Sequence, residues 1–482
     1  MSRHLDRLVR LDDSHRILSR EECDAIAKRV FSFAQGGGET RVKISSWWQG
    51  ELRWARNRVS LAGDRRDIKV SITRGQPFSG QLGTASTNQL DGVSLESAVR
   101  AAERSRALAD YNPPPPPFAP PFPPPKRPAS KIWSDATYGL TTEARGEVVR
   151  GILAPAEARG MLSAGYIEVR AATFAELSSA AQAGEAAEWE TPYIAWTQAQ
   201  CSMAVRDPLG TGSGWAGISS FDWGKIDPEV LAARALEKCV ASRNPVGLEP
   251  GRYTVVLEPQ AVADIVAAIP GTIGRRSNES GIGPFALAMD DALHLWRTKL
   301  GLKVVDERVT ISHDYADPGI GIVPPIDAMP DPIAWIDHGV LKAMPYDRSY
   351  ALRSLNEPMG VRSATGYRMS GGETTVEEMI RMTKRGLLVT RFSNVELLDA
   401  RSLLLGGLTR DGLWLIESGK ITKPVKNFRF TESPLFVLNS LDELGPPMKV
   451  FHATSSGGAL SPVVVPPLKA RDFSFTSLVD AV

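Results

Sequence analysis

Gly251-Arg252-Tyr253-Thr254-Val255-Val256-Leu257-Glu258 is the stretch that decides the reading of the chain. Four consecutive β-branched or aromatic residues, Tyr253 to Val256, between Pro250 and Pro259, read as a strand. The element before it is a helix of a different kind. Asp227 supplies the cap, Pro228 the first helical position and Glu229 an acid at the positive end of the dipole. That helix is predicted to run to about Ser242, where Asn244-Pro245 breaks it. A domain boundary is placed at about residue 245.

Downstream, helices are predicted over 260–269 and 284–300, and short strands over 303–313, 333–337, 340–344, 386–392, 403–416 and 424–430. One helix interrupts them at 375–384, with Thr374 and Glu377 as its capping box and Gly386 as its stop. Upstream, Ser19 and Glu22 cap a helix over 21–35 that Gly36-Gly37-Gly38 ends. Alternating segments 40–48, 51–60, 66–75 and 78–86, divided at Gly50, Gly63-Asp64 and Gly75, predict an antiparallel meander. Helices over 94–109 and 142–162 and strands over 163–176 and 188–206 follow. Residues 112–128 hold eleven prolines in seventeen positions, which predicts a stiff polyproline II crossover. The expected fold is α+β in two domains. Residues 1–245 form a helix plus antiparallel meander, and 246–482 a strand-rich unit with few helices.

Composition narrows the function. With 482 residues the chain is too long for one ordinary core. Lys plus Arg is 56 and Asp plus Glu is 55, a balance that argues against a dedicated nucleic-acid binder. Cys23, Cys201 and Cys239 are odd in number and far apart, which suits a reducing compartment. The first twenty residues are polar, and no apolar run reaches the ~20 residues of a membrane span. The expected location is the cytoplasm, with no membrane contact.

Chemistry-bearing motifs are sparse. Gly212-Ser213-Gly214-Trp215-Ala216-Gly217 matches G-x-G-x-x-G, but no helix start follows it, so a flexible loop is expected in place of a dinucleotide site. No G-x-S-x-G and no phosphate-binding G-x-x-x-x-G-K-[ST] occurs. The histidines, His4, His15, His294, His313, His338 and His452, lack the three-to-five spacing of a helical metal pair. Asp290 and His294 could meet on a helix as a hydrogen-bonded pair, and His313-Asp314 with Asp317 reads as turn-forming acids before a metal site. Nine cations between Arg41 and Arg74 interleave with Trp47, Trp48 and Trp54. They suit a solvated sheet face, with a peptide carboxylate or single-stranded nucleic acid as rival partners. The loop Arg368-Met369-Ser370-Gly371-Gly372 is a candidate for presenting backbone N–H groups to an extended peptide.

Several segments together resemble the TldD/PmbA family. They are Arg243-Asn244-Pro245 with 248–259, Ile336-Asp337-His338-Gly339-Val340-Leu341, and the block from Ala364-Thr365-Gly366 through Ser370-Gly371-Gly372 to Ile380. Arg385-Gly386-Leu387-Leu388-Val389-Thr390 and 416–426 complete the set. The N-terminal helix and the Arg-rich meander also fit, so the resemblance spans most of the chain. The resemblance implies two kinds of member. TldD-type chains carry H-E-x-x-x-H after the strand and a late cysteine, and these hold a zinc that activates water for peptide hydrolysis. Here those motif positions fall on Ala267, Ala268 and Thr272, Pro270 lies inside the window, and no cysteine follows Cys239.

The chain therefore resembles a TldE/PmbA-type member without the metal motif. What that implies is a non-catalytic subunit with no cofactor of its own. It would pair as a heterodimer with a TldD-type metal-bearing homologue, whose zinc would process peptide substrates. Two alternatives remain open: a stand-alone hydrolase using His313, Asp314 or His338, and a peptide-binding homodimer or larger homo-oligomer.

Overall fold

A computed structural model describes residues 17–75, 82–107, 131–179, 193–292, 294–321, 332–347, 350–351, 366–451 and 462–479. The prolines of 112–128 lie outside these residues, as do His4, His15 and His452. The fold is α+β and mostly antiparallel.

The first half is a six-stranded sheet in the order β3-β2-β1-β4-β5-β6. Helix α1 (Arg20–Phe33) starts at Ser19 with the expected capping box to Glu22. The expected four-segment meander is corrected. Segment 40–48 and the first half of 51–60 fuse into β1 (Glu39–Ala55), and β2 (Arg58–Gly75), which takes the rest, returns from a tight turn at Arg56-Asn57. Both turn residues have positive φ, 50° and 62°, as a two-residue hairpin with right-handed twist demands. Gly50 is no turn. It sits mid-strand opposite Asp64 and Val169, where a Cβ would lie 2.3 Å from Nη1 of the buried Arg145. Strands β3 (Leu82–Thr87), β4 (Leu162–Ser178), β5 (Tyr193–Arg206) and β6 (Ser213–Ser220) complete the sheet.

Side chains alternate across these strands, so one face is apolar and one polar. Val42, Ile44, Val70 and Ile72 pack under α1 and α2 (Gly92–Ala107). Trp48, Leu52, Trp54, Ile167 and Val169 pack under α3 (Thr142–Glu157) and α4 (Pro228–Ala241). The helix α4 has the cap read from sequence: Asp227 accepts from Glu229 and Val230 N–H. The glycine-rich motif is corrected too. Gly212-Ser213-Gly214 is not a flexible loop but leads into β6, and a Cβ at Gly214 would stand 2.1 Å from the Ala235 carbonyl of α4. The glycines allow close helix–sheet contact.

In the second half, β7 (Gly251–Leu257) lies near the centre of a nine-stranded sheet. It runs antiparallel to β23 (Leu468–Val479) and parallel to β14 (Arg385–Val389). A smaller six-stranded sheet includes β10 (Ile311–His313), β11 (Ile333–Asp337), β13 (Tyr367–Met369), β21 (Met448–Lys449) and β22 (Val463–Val465). Both sheets share one core with Phe392, Phe428, Phe430, Phe473 and Phe475. No hydrophobic cluster among the described residues takes buried members from both sides of residue 245.

Two further expectations are corrected. Residues 284–300 are a hairpin, β8 (Ala286–Asp290) with β9 (Leu295–Thr298), not a helix. Asn278 accepts from Phe285 N–H at 2.7 Å, and Lys299 N–H donates to the Phe285 carbonyl at 2.7 Å, tying the ends of this segment together. Asp290 and His294 consequently flank a turn, His294 at φ 51°, and share no helix face. The capping box of the helix Val376–Arg381 is Thr375 with Glu378, one residue beyond the expected pair, because Thr374 instead donates to Glu443. Gly386 is not its stop but part of β14, pressed against the Thr254 carbonyl. None of the described helices is long and apolar enough to cross a membrane.

Candidate functional site

The window that the resemblance assigns to metal binding follows β7 directly. Helix α5 (Pro259–Val266) buries Ala261, Val262, Ala263, Ile265 and Val266, and α6 (Ala268–Thr272) continues after a break at Ala267. Ala267 and Ala268 end in methyl groups. The Thr272 hydroxyl is turned back to donate to the Ala268 carbonyl at 2.8 Å. These three side chains cannot form a zinc site of imidazole and carboxylate ligands. Among the described residues no group of three or more His, Cys, Asp or Glu side chains could hold a metal. The cysteines are buried, and burial pushes the Cys23 and Cys201 thiols up to about 12 and that of Cys239 to about 11, far from nucleophilic range.

One charged residue breaks the apolar run of α5. Burial pushes the Asp264 carboxyl up to about 6, opposed by hydrogen bonds from Gln260 Nε2 at 2.9 Å and Phe392 N–H at 2.8 Å. Gln260 also clamps Phe451, donating to its carbonyl and accepting from its N–H, each at 3.1 Å. The Phe451 ring then meets Trp215 and Tyr166 of the first half edge-on, at 5.5 and 6.3 Å between centroids. Asp264 is therefore two hydrogen-bonded residues away from the polar face of the N-terminal sheet.

That face is the other wall of the candidate site. Strand register sets Gln49, Glu51 and Arg53 of β1 beside Arg170, Glu168 and Tyr166 of β4, and those beside Gln198, Gln200 and Ser202 of β5. Glu51 and Glu168 are direct cross-strand neighbours. Like charges in that relation disfavour ionisation, and Glu168 is raised by burial first and by Glu51 second. Arg53 pairs with Glu51, Gln49 Nε2 donates to Glu168 at 3.0 Å, and Tyr166 donates to Gln200 at 3.0 Å. Gln49, Glu51, Arg170, Gln198, Gln200 and Ser202 are buried and Glu168 and Tyr166 half-buried, so the face is a packed polar layer with Arg53 at its exposed edge. Sequence reading missed Asp264, Glu51 and Glu168. A lone acid within an apolar helix and an acid alternating with arginines were the available signals.

The basic stretch of 41–74 does not act as one patch. Arg65 and Arg170 lie over the Trp47 ring at 6.0 and 5.2 Å on the polar face, while Arg74 is buried on the other side, donating to Thr40. Trp48 and Trp54 are core residues. His313 is buried, its Nδ1 2.7 Å from the Gly366 carbonyl and its ring against Tyr315 and Trp335. Asp314 accepts from Ala316 N–H, and His338 is exposed beside Asp337, so the three residues of the hydrolase alternative do not converge on one another.

In the loop at 368–372, Ser370 N–H donates to the Thr310 carbonyl and Gly372 N–H to that of Gly445. Met369 is buried and Gly371 is packed against the Gly445 carbonyl. Arg368 pairs with Asp317 at 2.8 Å.

Residues 250–477 match the model of the PmbA/TldA metallopeptidase C-terminal domain. No curated protein matches the chain. The fold is similar to a solved putative modulator of a DNA gyrase from Thermotoga maritima, at TM-score 0.75 and 15% identity, covering 94% of this chain and 100% of that one. It is similar to a putative modulator of DNA gyrase from Bacteroides thetaiotaomicron, at TM-score 0.76 and 16% identity, covering 95% and 100%. It is similar also to TldE from Thermococcus kodakarensis, at TM-score 0.72 and 15% identity, covering 94% and 100%. Residues 250–477 are thus identified as a PmbA/TldA metallopeptidase C-terminal domain, and the chain as a whole shares the fold of these modulator-of-gyrase and TldE structures.

Proposed function

We propose that this chain is the non-catalytic, metal-free subunit of a TldD/TldE-type metallopeptidase, cooperating with a metal-bearing homologue that supplies zinc and the hydrolytic step. One observation carries the reading. Helices α5 and α6 follow β7 directly, and the positions that the resemblance assigns to metal ligands hold Ala267, Ala268 and Thr272. The fold is retained without the chemistry, as expected of a subunit that shapes a chamber. The polar sheet face would contribute a wall that meets peptide at its exposed edge, at Arg53. Residues 1–245 and 246–482 act as two domains in this reading, each with its own hydrophobic clusters.

The test is co-expression with an H-E-x-x-x-H homologue from the same genome, tagging this chain alone. The expected result is co-elution in fixed ratio, with zinc and chelator-sensitive peptidase activity in the complex and neither in the isolated chain. Hydrolysis by the isolated chain at the complex's rate, or a clean homo-oligomer that ignores the homologue, would overturn the proposal.

A further inference from the structure

The small sheet of the second half has one face in the main core and one outside it. Tyr367, Met369, Val463 and Val465 point into that core. The residues between them point the other way. Arg368 and Lys449 both pair with Val464, one from each side, so the two cations share a face across three strands. Lys225, in the short turn Trp223–Lys225 of the first half, comes to the same place. The ammonium groups of Lys225 and Lys449 lie 5.3 and 5.8 Å from the centroid of one ring, that of Phe221. Gly321 seats this ring: a Cβ there would lie 2.7 Å from Phe221.

Charge at this junction is out of balance. Among the described residues three cations face one nearby acid, Asp317, and Arg368 already holds it, through Nε at 2.9 Å and Nη2 at 2.8 Å. Lys449 is half-buried, and among the described residues it makes no salt bridge. Burial, Lys225 and Arg368 all disfavour its charged form, which is pushed down to about 8. A partly desolvated ammonium beside two other cations is costly unless an anion joins it. Lys225 is exposed, so the cluster opens to solvent.

We propose that Lys449, Lys225 and Arg368 form an oxyanion site between the two halves that receives a carboxylate of a peptide ligand. The site rests on the peptide-handling reading above for its ligand class. Arg368 presents a planar donor fork held in place by Asp317, Lys449 a fixed charge, and Lys225 a movable one at the rim. The Phe221 ring excludes water from one side.

The test is calorimetric titration of the full chain with three probes: N-acetyl-trialanine as the free acid, the same peptide as its C-terminal amide, and inorganic phosphate. The acid is expected to bind and the amide to bind at least tenfold more weakly. Lys449→Gln should weaken the acid at least tenfold with an unchanged circular dichroism spectrum. Lys225→Gln, in an exposed turn, should give a smaller loss in the same direction. Equal binding of acid and amide, absence of binding, or acid affinity unchanged in both variants would overturn the proposal. Phosphate binding without acid binding overturns the carboxylate assignment. Co-elution with the homologue is a separate readout. If it fails while the acid still binds, the site stands and only its peptidase setting falls.

Discussion

Arg391 lays its guanidinium over the indole of Trp215, 4.5 Å from the ring centroid. The two residues come from opposite halves: Trp215 from β6, Arg391 from the link between β14 and β15 (Phe392–Asp399). Trp215 is also fixed by its own donation to Ser202 at 2.9 Å and by the edge of Phe451. Partly shielded cation–π contacts stabilise by about 1–2 kcal/mol. Arg391→Ala should lower stability by about that amount and separate the unfolding of the two halves in calorimetry. A double-mutant cycle with Trp215→Ala should show coupling. Strict additivity would mean that the halves are held together elsewhere.

Asp264 gives a pH signature. Its folded carboxyl lies at about 6, above the unfolded value near 4. Between those values the folded state binds more protons, so stability falls as pH rises through the window. The penalty is complete above about pH 6 and absent below about pH 4. Relative to Asp264→Asn, the wild-type chain should lose on the order of 2 kcal/mol between pH 4 and 7. Parallel denaturation curves for the two proteins across that range would remove Asp264 from the account.

The extent to which the sequence disclosed this follows from how local each signal is. Caps at Ser19 and Asp227 involve neighbours within three residues, and both read correctly. Strand β7 announces itself through Val255 and Val256, buried on both faces. Gly50 misled because its reason is Arg145, ninety-five positions away in sequence, and nothing nearby distinguishes a cradle from a turn. Residues 286–290, Ala-Leu-Ala-Met-Asp, have helical propensity, and the pairing with 295–298 overrode it. The missing ligands at Ala267, Ala268 and Thr272 were legible only by resemblance. The Lys449–Lys225–Arg368 cluster was not legible, because its members are brought together by three separate chain segments.

Lys449 carries a second, ligand-free prediction. Its folded value of about 8 lies below the ordinary lysine value, so the charged form is the disfavoured one. The cost is present in full below pH 8 and disappears as pH rises toward 10.5, where the unfolded chain also releases its proton. Lys449→Met should therefore melt at higher temperature than wild type at pH 7, by an increment on the order of 1–2 kcal/mol. That advantage should vanish near pH 10.5. Melts belong in chloride buffers free of phosphate and carboxylate, so that no anion repays the charge. An unchanged or lower melting temperature at pH 7 would show that Lys449 already has its counter-charge.

Gly214 separates a packing glycine from a ligand-binding one. Its missing Cβ is the space that α4 occupies, with the Ala235 carbonyl at 2.1 Å and the Cys239 nitrogen at 2.4 Å from where that atom would stand. Both are backbone atoms of a buried helix and have no rotamer by which to yield. Gly214→Ala must displace α4 from β5 and β6, at a cost of about 3 kcal/mol or more. Gly63, in β2, is the control: a Cβ there meets nothing within 4 Å. Gly63→Ala should be neutral or slightly stabilising, since alanine restricts the unfolded chain more than glycine. Chemical denaturation of both variants decides the matter. Equal midpoints would mean that α4 does not press on Gly214, and the G-x-G spacing would need another explanation.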